Sequence, residues 1–309
     1  MTGFEALIKE KDIRKINYFI YYFGRRNDLD EFDRSNIHSS IKMANDIYDT
    51  IMLNEYEIKN FIFNLNNNLL PKDDFNWLSD ELACAFCWGI LVSDIKDEYI
   101  NNHFYPEWID VFHINKKSFL HIDRYKNIKR FFDEYIISND NSMRINCGRF
   151  KNKRELMEWM KNEWVIKNKE VKEIKWLNIN NESVCKWMWN YIEKYNNNEV
   201  SLKRDGINTL GLFSPDSGKE CYFSIYGVLR SWCCHPAIKK QLINDATRAY
   251  KQNVYRKNRE GKKTLNCDID SSVKNHLDEL SKAYDMTIVD LITKLIEDEY
   301  KLDNKSKKS

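Results

Sequence analysis

Apolar and polar residues alternate between residues 264 and 270, and this alternation predicts a short, half-buried strand. Successive side chains of a strand point to opposite faces. The apolar face would carry Leu265, Cys267 and Ile269, and the polar face would carry Thr264, Asn266 and Asp268.

Two amphipathic helices are predicted after this strand. The first helix has one apolar stripe, formed by Val273, Leu277, Leu280 and Tyr284, and Asp270 or Ser271 is positioned to cap it. A break is predicted at Asp285–Met286, followed by a start similar to a capping box at Thr287 and Asp290. The second helix has the spacing of a wide apolar face, at Ile288, Leu291, Ile292, Leu295 and Ile296.

A unit of this size cannot bury its own apolar faces, and a single strand has no pairing partner. Two copies solve both problems, because their strands can pair across a two-fold axis above four helices. We therefore predict a ribbon-helix-helix dimer, whose ribbon enters the DNA major groove. Bases would be read by Thr264, Asn266 and Asp268. The dimer core would contain Leu265, Cys267, Ile269, Leu277, Leu280, Ile288, Leu291, Ile292 and Leu295. The alternative is a helical hairpin that only docks on the N-terminal part of the chain.

A basic helix is predicted directly before the strand. It would start at His235-Pro236 and run for about 22 residues, and residues 236–263 contain nine Lys or Arg against two Asp or Glu. Such a concentration of positive charge suits contact with DNA phosphates, although a solvated helix face is the ordinary alternative. The predicted phosphate ligands, with Thr287 at the start of the last helix, are Arg248, Lys251, Arg256, Lys257, Arg259, Lys262 and Lys263.

Residues 277–298, with the pattern L-x-x-L, T-[IL] and L-I-E-D, resemble the ribbon-helix-helix of the MatP family, organisers of the chromosome terminus macrodomain. The resemblance extends over residues 235–304. It implies a dimeric protein that binds double-stranded DNA sequence-specifically at a palindrome. The coiled-coil tail of that family has no counterpart in the final residues KLDNKSKKS, so we do not expect bridging of DNA sites by that route.

The N-terminal 230 residues are predicted to be helical. The segments FNWLSDELACAFCWGIL (75–91) and IKWLNINNESVCKWMWNYI (174–192) share a Trp-Leu pair, a Glu, a Cys and a Trp in the same order, which suggests a duplicated helical unit. The predicted fold is mainly α. Its predicted parts are 1–140 and 141–230 as the two repeat units, 231–304 as basic helix plus ribbon-helix-helix, and 305–309 as a tail.

No pattern in the sequence points to catalysis, a cofactor or a metal. Cys84-x-x-Cys87 lies inside an apolar helical run and Cys233-Cys234 are adjacent, so neither pair suits zinc, and buried thiols are expected. Acidic pairs such as Asp133-Glu134 are interpreted as helix surface charges. Nucleotide-binding loops and nucleophile motifs are missing from the sequence, and we do not expect an enzyme.

Composition narrows the class of protein further. The chain has only 9 Gly and 4 Pro among 309 residues, which favours helices, and its net charge is +2. The longest apolar run has 11 residues (82–92), too few to span a bilayer. Charged residues near the N-terminus do not suit a signal peptide, and the eight cysteines are expected to be reduced. A cytoplasmic, nucleoid-associated protein without a membrane segment is expected.

Three functional hypotheses follow. The first is a dimeric, sequence-specific binder of double-stranded DNA, acting as a transcription regulator or a nucleoid or replicon organiser. The second is a two-part effector, in which the N-terminal region has its own activity or binds a protein partner, and the C-terminal module tethers it to DNA or regulates its own expression. The third is a protein scaffold whose C-terminal hairpin only dimerises.

Overall fold

The computed structural model describes residues 3–24, 33–92, 120–135, 143–145, 148–197, 210, 213–261, 263 and 265–306. This part of the chain is mainly helical, as predicted. It contains a 3₁₀ helix, η1 (Lys72–Ser79), and a small antiparallel pair of strands, β1 (Met143–Ile145) and β2 (Gly148–Phe150), which the sequence analysis did not predict. The α-helices are α1 (Gly3–Glu10), α2 (Ile13–Phe23), α3 (Ile37–Ile51), α4 (Glu55–Asn68), α5 (Glu81–Val92), α6 (His121–Glu134), α7 (Lys153–Glu170), α8 (Glu182–Asn197), α9 (Gly218–Ser231), α10 (Pro236–Asn258), α11 (Ser271–Ala283) and α12 (Ile288–Ser306).

Two compact units divide the chain, Met1–Ala249 and Tyr250–Ser309. The boundary falls inside α10, whereas the sequence analysis placed it at residue 231. The predicted division of the N-terminal region near residue 140 stays a prediction. Among the described helices, none is both long and apolar enough to cross a membrane.

Helix α9 is central to the first unit and packs against both α5 and α8. The approach of α5 to α9 requires glycine on both sides. A Cβ on Gly89 would lie 2.3 Å from the Ser231 Oγ, and a Cβ on Gly227 would lie 3.0 Å from the Ala85 Cβ. All side chains of α5 from residue 83 onward are buried, so this helix forms the middle of the core.

The two segments of the predicted repeat begin helices in matching ways. Helix α5 begins at Glu81 and α8 begins at Glu182, at the Glu of each segment. The shared Cys and Trp positions are buried in both helices, at Cys84, Trp88, Cys185 and Trp189. The shared residues therefore occupy equivalent helix-start and core positions in α5 and α8. A duplicated unit of about 100 residues stays a prediction.

The interpretation of Asp133 and Glu134 as surface charges is wrong. Both are buried, because the last turn of α6 packs against α2, which supplies Arg14. Asp133 binds Arg14 of α2 through both carboxylate oxygens, at 2.5 and 2.9 Å, and Glu134 accepts from the Arg130 Nε at 2.8 Å. Burial raises the pKa of the Glu134 carboxyl, and the adjacent Arg130 opposes that shift.

A lysine is also buried at this junction. Lys153 begins α7, and its Nζ donates to the Phe132 carbonyl at 2.7 Å and lies 5.6 Å from the centre of the Tyr18 ring. Loss of hydration lowers the pKa of Lys153 to about 7, although Asp133 and Glu134 favour its charged form.

The described cysteines lie in different environments: Cys185 and Cys221 are buried free thiols, Cys234 is half-buried and Cys267 is exposed. Cys84 and Cys87 are fully buried thiols, as predicted, and burial raises the pKa of Cys84 to about 12. The expectation that all cysteines are reduced is wrong for Cys233, which is disulfide-bonded. A disulfide depends on which cysteines the fold brings together, and spacing along the chain does not reveal this.

Candidate nucleic-acid interface

The first half of the basic helix α10 is built into the first unit. Leu242 and Ala246 are buried, and the Trp176 Nε1 donates to the Thr247 Oγ1 at 3.0 Å. Lys239 is buried as well, with its Nζ 3.5 Å from the Glu170 carboxylate. Loss of hydration lowers the pKa of Lys239, while Glu170 opposes that shift. This half of the helix is therefore anchored in the first unit, and the buried Lys239 cannot contact DNA.

The second half of α10 and the residues after it carry the predicted phosphate ligands, and those that the structure describes are exposed: Arg248, Lys251, Arg256, Lys257, Arg259 and Lys263. Lys262 lies outside the described residues. Arg248 is 3.7 Å from Asp245. In the described ranges, Lys251, Arg256, Lys257 and Lys263 form no ion pair. Their positive charge is uncompensated and exposed, which is the property that attracts a polyanion.

Arg259 differs from its basic neighbours because Tyr255 holds it. The Arg259 Nη1 donates to the Tyr255 hydroxyl at 2.5 Å, and the guanidinium carbon lies 5.2 Å from the centre of the ring. The ring is 60% exposed. Sequence reasoning missed Tyr255, although a Tyr and an Arg four residues apart on a helix are a known contacting pair.

The predicted strand is not formed in the single chain, where residues 265–270 have no regular secondary structure. Residues 265–270 are all exposed and have no ladder partner among the residues that the structure describes. Asn266 and Asp268 are exposed, and Thr264 lies outside the described residues. A strand at this place requires a partner strand from another molecule, so it stays a prediction.

The predicted break between the last two helices is confirmed, and backbone hydrogen bonds define its conformation. Asp285 adopts a left-handed conformation with φ 51°. The Met286 N–H donates to the Ser281 carbonyl at 3.0 Å and the Asp285 N–H to the Lys282 carbonyl at 3.3 Å, which together form a Schellman motif.

The caps of these two helices differ. The Thr287 hydroxyl oxygen accepts the Asp290 N–H at 3.2 Å and donates to the Asp290 carboxylate at 2.6 Å, so the predicted cap of α12 is present. Asp270 occupies the N-cap position of α11, but its side chain makes no capping hydrogen bond.

The second unit leaves most of its large apolar side chains exposed to water. Among the nine predicted dimer-core residues, Leu291 alone is buried; Leu277, Ile288 and Ile292 are half-buried. The Cys267 thiol is exposed. The exposed large apolar residues of this unit after the basic helix are Leu265, Ile269, Val273, Leu280, Tyr284, Val289, Leu295, Ile296, Tyr300 and Leu302. Large exposed apolar patches mark surfaces that contact another molecule.

Within the described ranges, no group of three or more His, Cys, Asp or Glu side chains is arranged to hold a metal ion. Comparisons with protein-family models, curated proteins and solved structures gave no match to this chain. The resemblance to the MatP family thus stays a prediction that depends on the residues quoted above.

Proposed function

We propose that this protein is a dimeric, sequence-specific DNA-binding protein that uses α10 and a ribbon-helix-helix formed by residues 264–304. The observation that carries the proposal is the set of exposed cations without ion pairs in the described part of the chain, Lys251, Arg256, Lys257 and Lys263. They lie immediately before an exposed segment, residues 265–270, whose sequence alternates between apolar and polar residues. Either a transcription regulator or a nucleoid or replicon organiser would use such a module.

The exposed apolar surface supports the dimer. Full burial of a large aliphatic side chain contributes about 1.5–3 kcal/mol, and Leu265, Ile269, Leu280 and Leu295 are each at least 39% exposed. A second copy supplies the matching surface and also a partner strand for residues 265–270. Pairing therefore satisfies the apolar side chains and the backbone together.

The charge supports DNA as the partner. Each Lys or Arg that contacts a phosphate releases condensed counterions, so binding weakens steeply as salt rises. The polar side of the extended segment carries Asn266, whose amide can pair with adenine in the major groove. Asp268 can accept from a cytosine amino group on the same side.

Salt dependence tests the proposal. Binding of the full chain to duplex DNA should fall steeply between low and moderate salt. Changing Lys251, Arg256 and Lys257 together to Ala should reduce the slope of log K against log salt by about 2 to 3 units, since each lost phosphate contact removes about 0.9. A matched control changes three other exposed lysines, Lys169, Lys172 and Lys175 of the first unit, and should leave the slope unchanged.

Two outcomes would reject DNA binding by this surface. The first is binding that does not depend on salt, and the second is an equal effect of the test and control variants. In either case the second unit would be a dimerising scaffold only.

The two-part effector is a second candidate, and the size of the first unit favours it. Residues 1–249 form a compact unit with its own buried core, which is more than DNA anchoring requires. A partner protein captured equally by the wild-type chain and by the Lys251, Arg256 and Lys257 triple variant would support this function, since capture would not depend on DNA.

A further inference from the structure

The contact between Tyr255 and Arg259 makes Arg259 unlike a simple phosphate ligand. One face of an exposed ring holds the guanidinium, and the hydroxyl of that ring accepts from it. Part of the conformational entropy that binding would cost is therefore already lost in the free protein. Arg256 and Lys257, on the same turn, have no ring partner in the described part of the chain.

The position of Arg259 along the chain limits where it can meet DNA. It lies five residues before Thr264, the first residue of the predicted strand. A chain of that length reaches at most about 17 Å. The major groove is about 12 Å wide. If the ribbon lies in the major groove, Arg259 falls near the groove's edge, beside the sugar-phosphate backbone and the neighbouring minor groove.

The chain also turns between these residues. Gly261 has a φ of 77°, and a Cβ there would meet no atom within 4 Å. Another residue would be strained at this φ, although its side chain would have room. The turn lies between the end of α10 and the segment that is predicted to form the strand, so the two can contact different parts of a duplex.

We propose that Arg259, held by Tyr255, enters the minor groove that flanks the DNA site, and that binding therefore favours A·T-rich flanks. This inference rests on the proposed function. The minor groove is about 6 Å wide and admits a planar guanidinium, which donates to the adenine N3 and thymine O2 acceptors. A·T tracts have a narrower groove with a more negative potential, which favours arginine, and the guanine amino group obstructs the same position.

The test uses a duplex selected from a randomised pool by the wild-type chain, prepared with three kinds of flank. The flanks contain A·T, G·C or inosine·cytosine pairs, the last of which lack the guanine amino group in the minor groove. Wild-type protein should bind the A·T and inosine·cytosine duplexes alike, and the G·C duplex roughly threefold to tenfold more weakly.

Two variants separate groove reading from phosphate contact. Arg259→Lys keeps the charge but loses the planar guanidinium. The ratio of the affinities for the A·T and G·C duplexes, which is the flank preference, should therefore fall toward one, while much of the affinity remains. Tyr255→Leu should lower the preference in the same direction, because it removes the ring that orients Arg259. The control, Lys257→Ala, should weaken binding to all three duplexes by the same factor.

The proposal is overturned if Arg259→Lys retains the flank preference, or if the wild-type chain binds all three duplexes equally. Equal weakening of all three by Arg259→Ala would assign Arg259 to a phosphate. If the wild-type chain selects and binds no duplex at all, the proposed function itself fails, and this inference fails with it.

Discussion

The guanidinium of Arg124 lies 2.8 Å from the carboxylate of Glu220, and the two side chains are only 1% and 7% exposed. The pair joins α6 to α9 across 96 residues of sequence. Glu220→Ala removes this carboxylate from the buried guanidinium, and the free energy of unfolding of the full chain should fall by about 3–5 kcal/mol. Urea titration followed by tryptophan fluorescence measures this.

The neighbouring residue provides the control. Lys219 pairs with Glu81 at 3.3 Å, and its side chain is 60% exposed. Lys219→Ala should therefore change stability by about 0–1 kcal/mol. Replacing both Arg124 and Glu220 with Leu should recover part of the loss. Equal effects of Glu220→Ala and Lys219→Ala would show that the buried pair does not stabilise the first unit.

The buried Lys153 should make stability depend on pH. Its pKa is about 7 in the folded chain, against about 10.4 in an unfolded one. Between these values the unfolded chain binds more protons, so the free energy of unfolding rises with pH, by up to about 1.4 kcal/mol per unit. Well below pH 7, Lys153 is charged in both states, and the folded chain has the full free-energy cost of burying that charge.

Lys153→Met isolates this contribution. The difference in stability between variant and wild type should be nearly constant below about pH 6 and should change progressively from pH 6 to 8. That window also avoids the buried thiols of Cys84, Cys87 and Cys221, whose raised pKa values act at higher pH and in the opposite direction. Parallel curves across pH 6–8 would mean that Lys153 keeps its charge when buried.

Leu295 should be essential to the dimer without being essential to the fold of one chain. It is 49% exposed in the single chain, whereas Leu291 is 1% exposed. Leu295→Glu should give a folded monomer in sedimentation, because the charge would enter the shared apolar core. The control Thr293→Glu adds the same charge on the polar side of α12 and should stay dimeric. A monomeric wild-type chain at micromolar concentration would contradict the dimer.

Cys267 reports directly on the predicted strand. The thiol is exposed in the single chain, and strand alternation assigns it to the face that the dimer buries. Its reaction with a thiol reagent should be fast in the Leu295→Glu variant and much slower in wild type at high protein concentration. Cys267→Ser should remove this fast phase. Fast labelling of a wild-type dimer would show that the alternation is wrong, or that the strands do not pair.

Asn266 should set base preference at one symmetric pair of positions in the site. A bidentate amide–adenine contact contributes roughly 1–3 kcal/mol of discrimination. A binding selection on randomised duplexes should therefore show a relaxed preference at that pair for Asn266→Ala, with dimerisation and the salt slope unchanged. An unaltered site would mean that specificity comes from DNA shape or from the first unit.

The sequence by itself determined the local elements of the C-terminal region. Helix α10 begins at Pro236, the last two helices are separated at Asp285, and α12 is capped by Thr287, all as predicted. These features depend on residues within a few positions of each other: a proline fixes a helix start, and a capping hydroxyl reaches a backbone N–H three residues away. Amphipathic spacing likewise identified the apolar side chains that one chain leaves exposed.

Only the tertiary structure decided which distant groups meet. The burial of Asp133 follows from Arg14, 119 residues away, and the burial of Lys239 follows from Glu170 at the end of another helix. Helical periodicity indicates which side of a helix faces inward, but not which charge lies opposite. The division of α10 into an anchored half and an exposed basic half has the same origin. Whether a residue of α10 is buried depends on which other elements pack against it, and the sequence of one helix does not identify those elements.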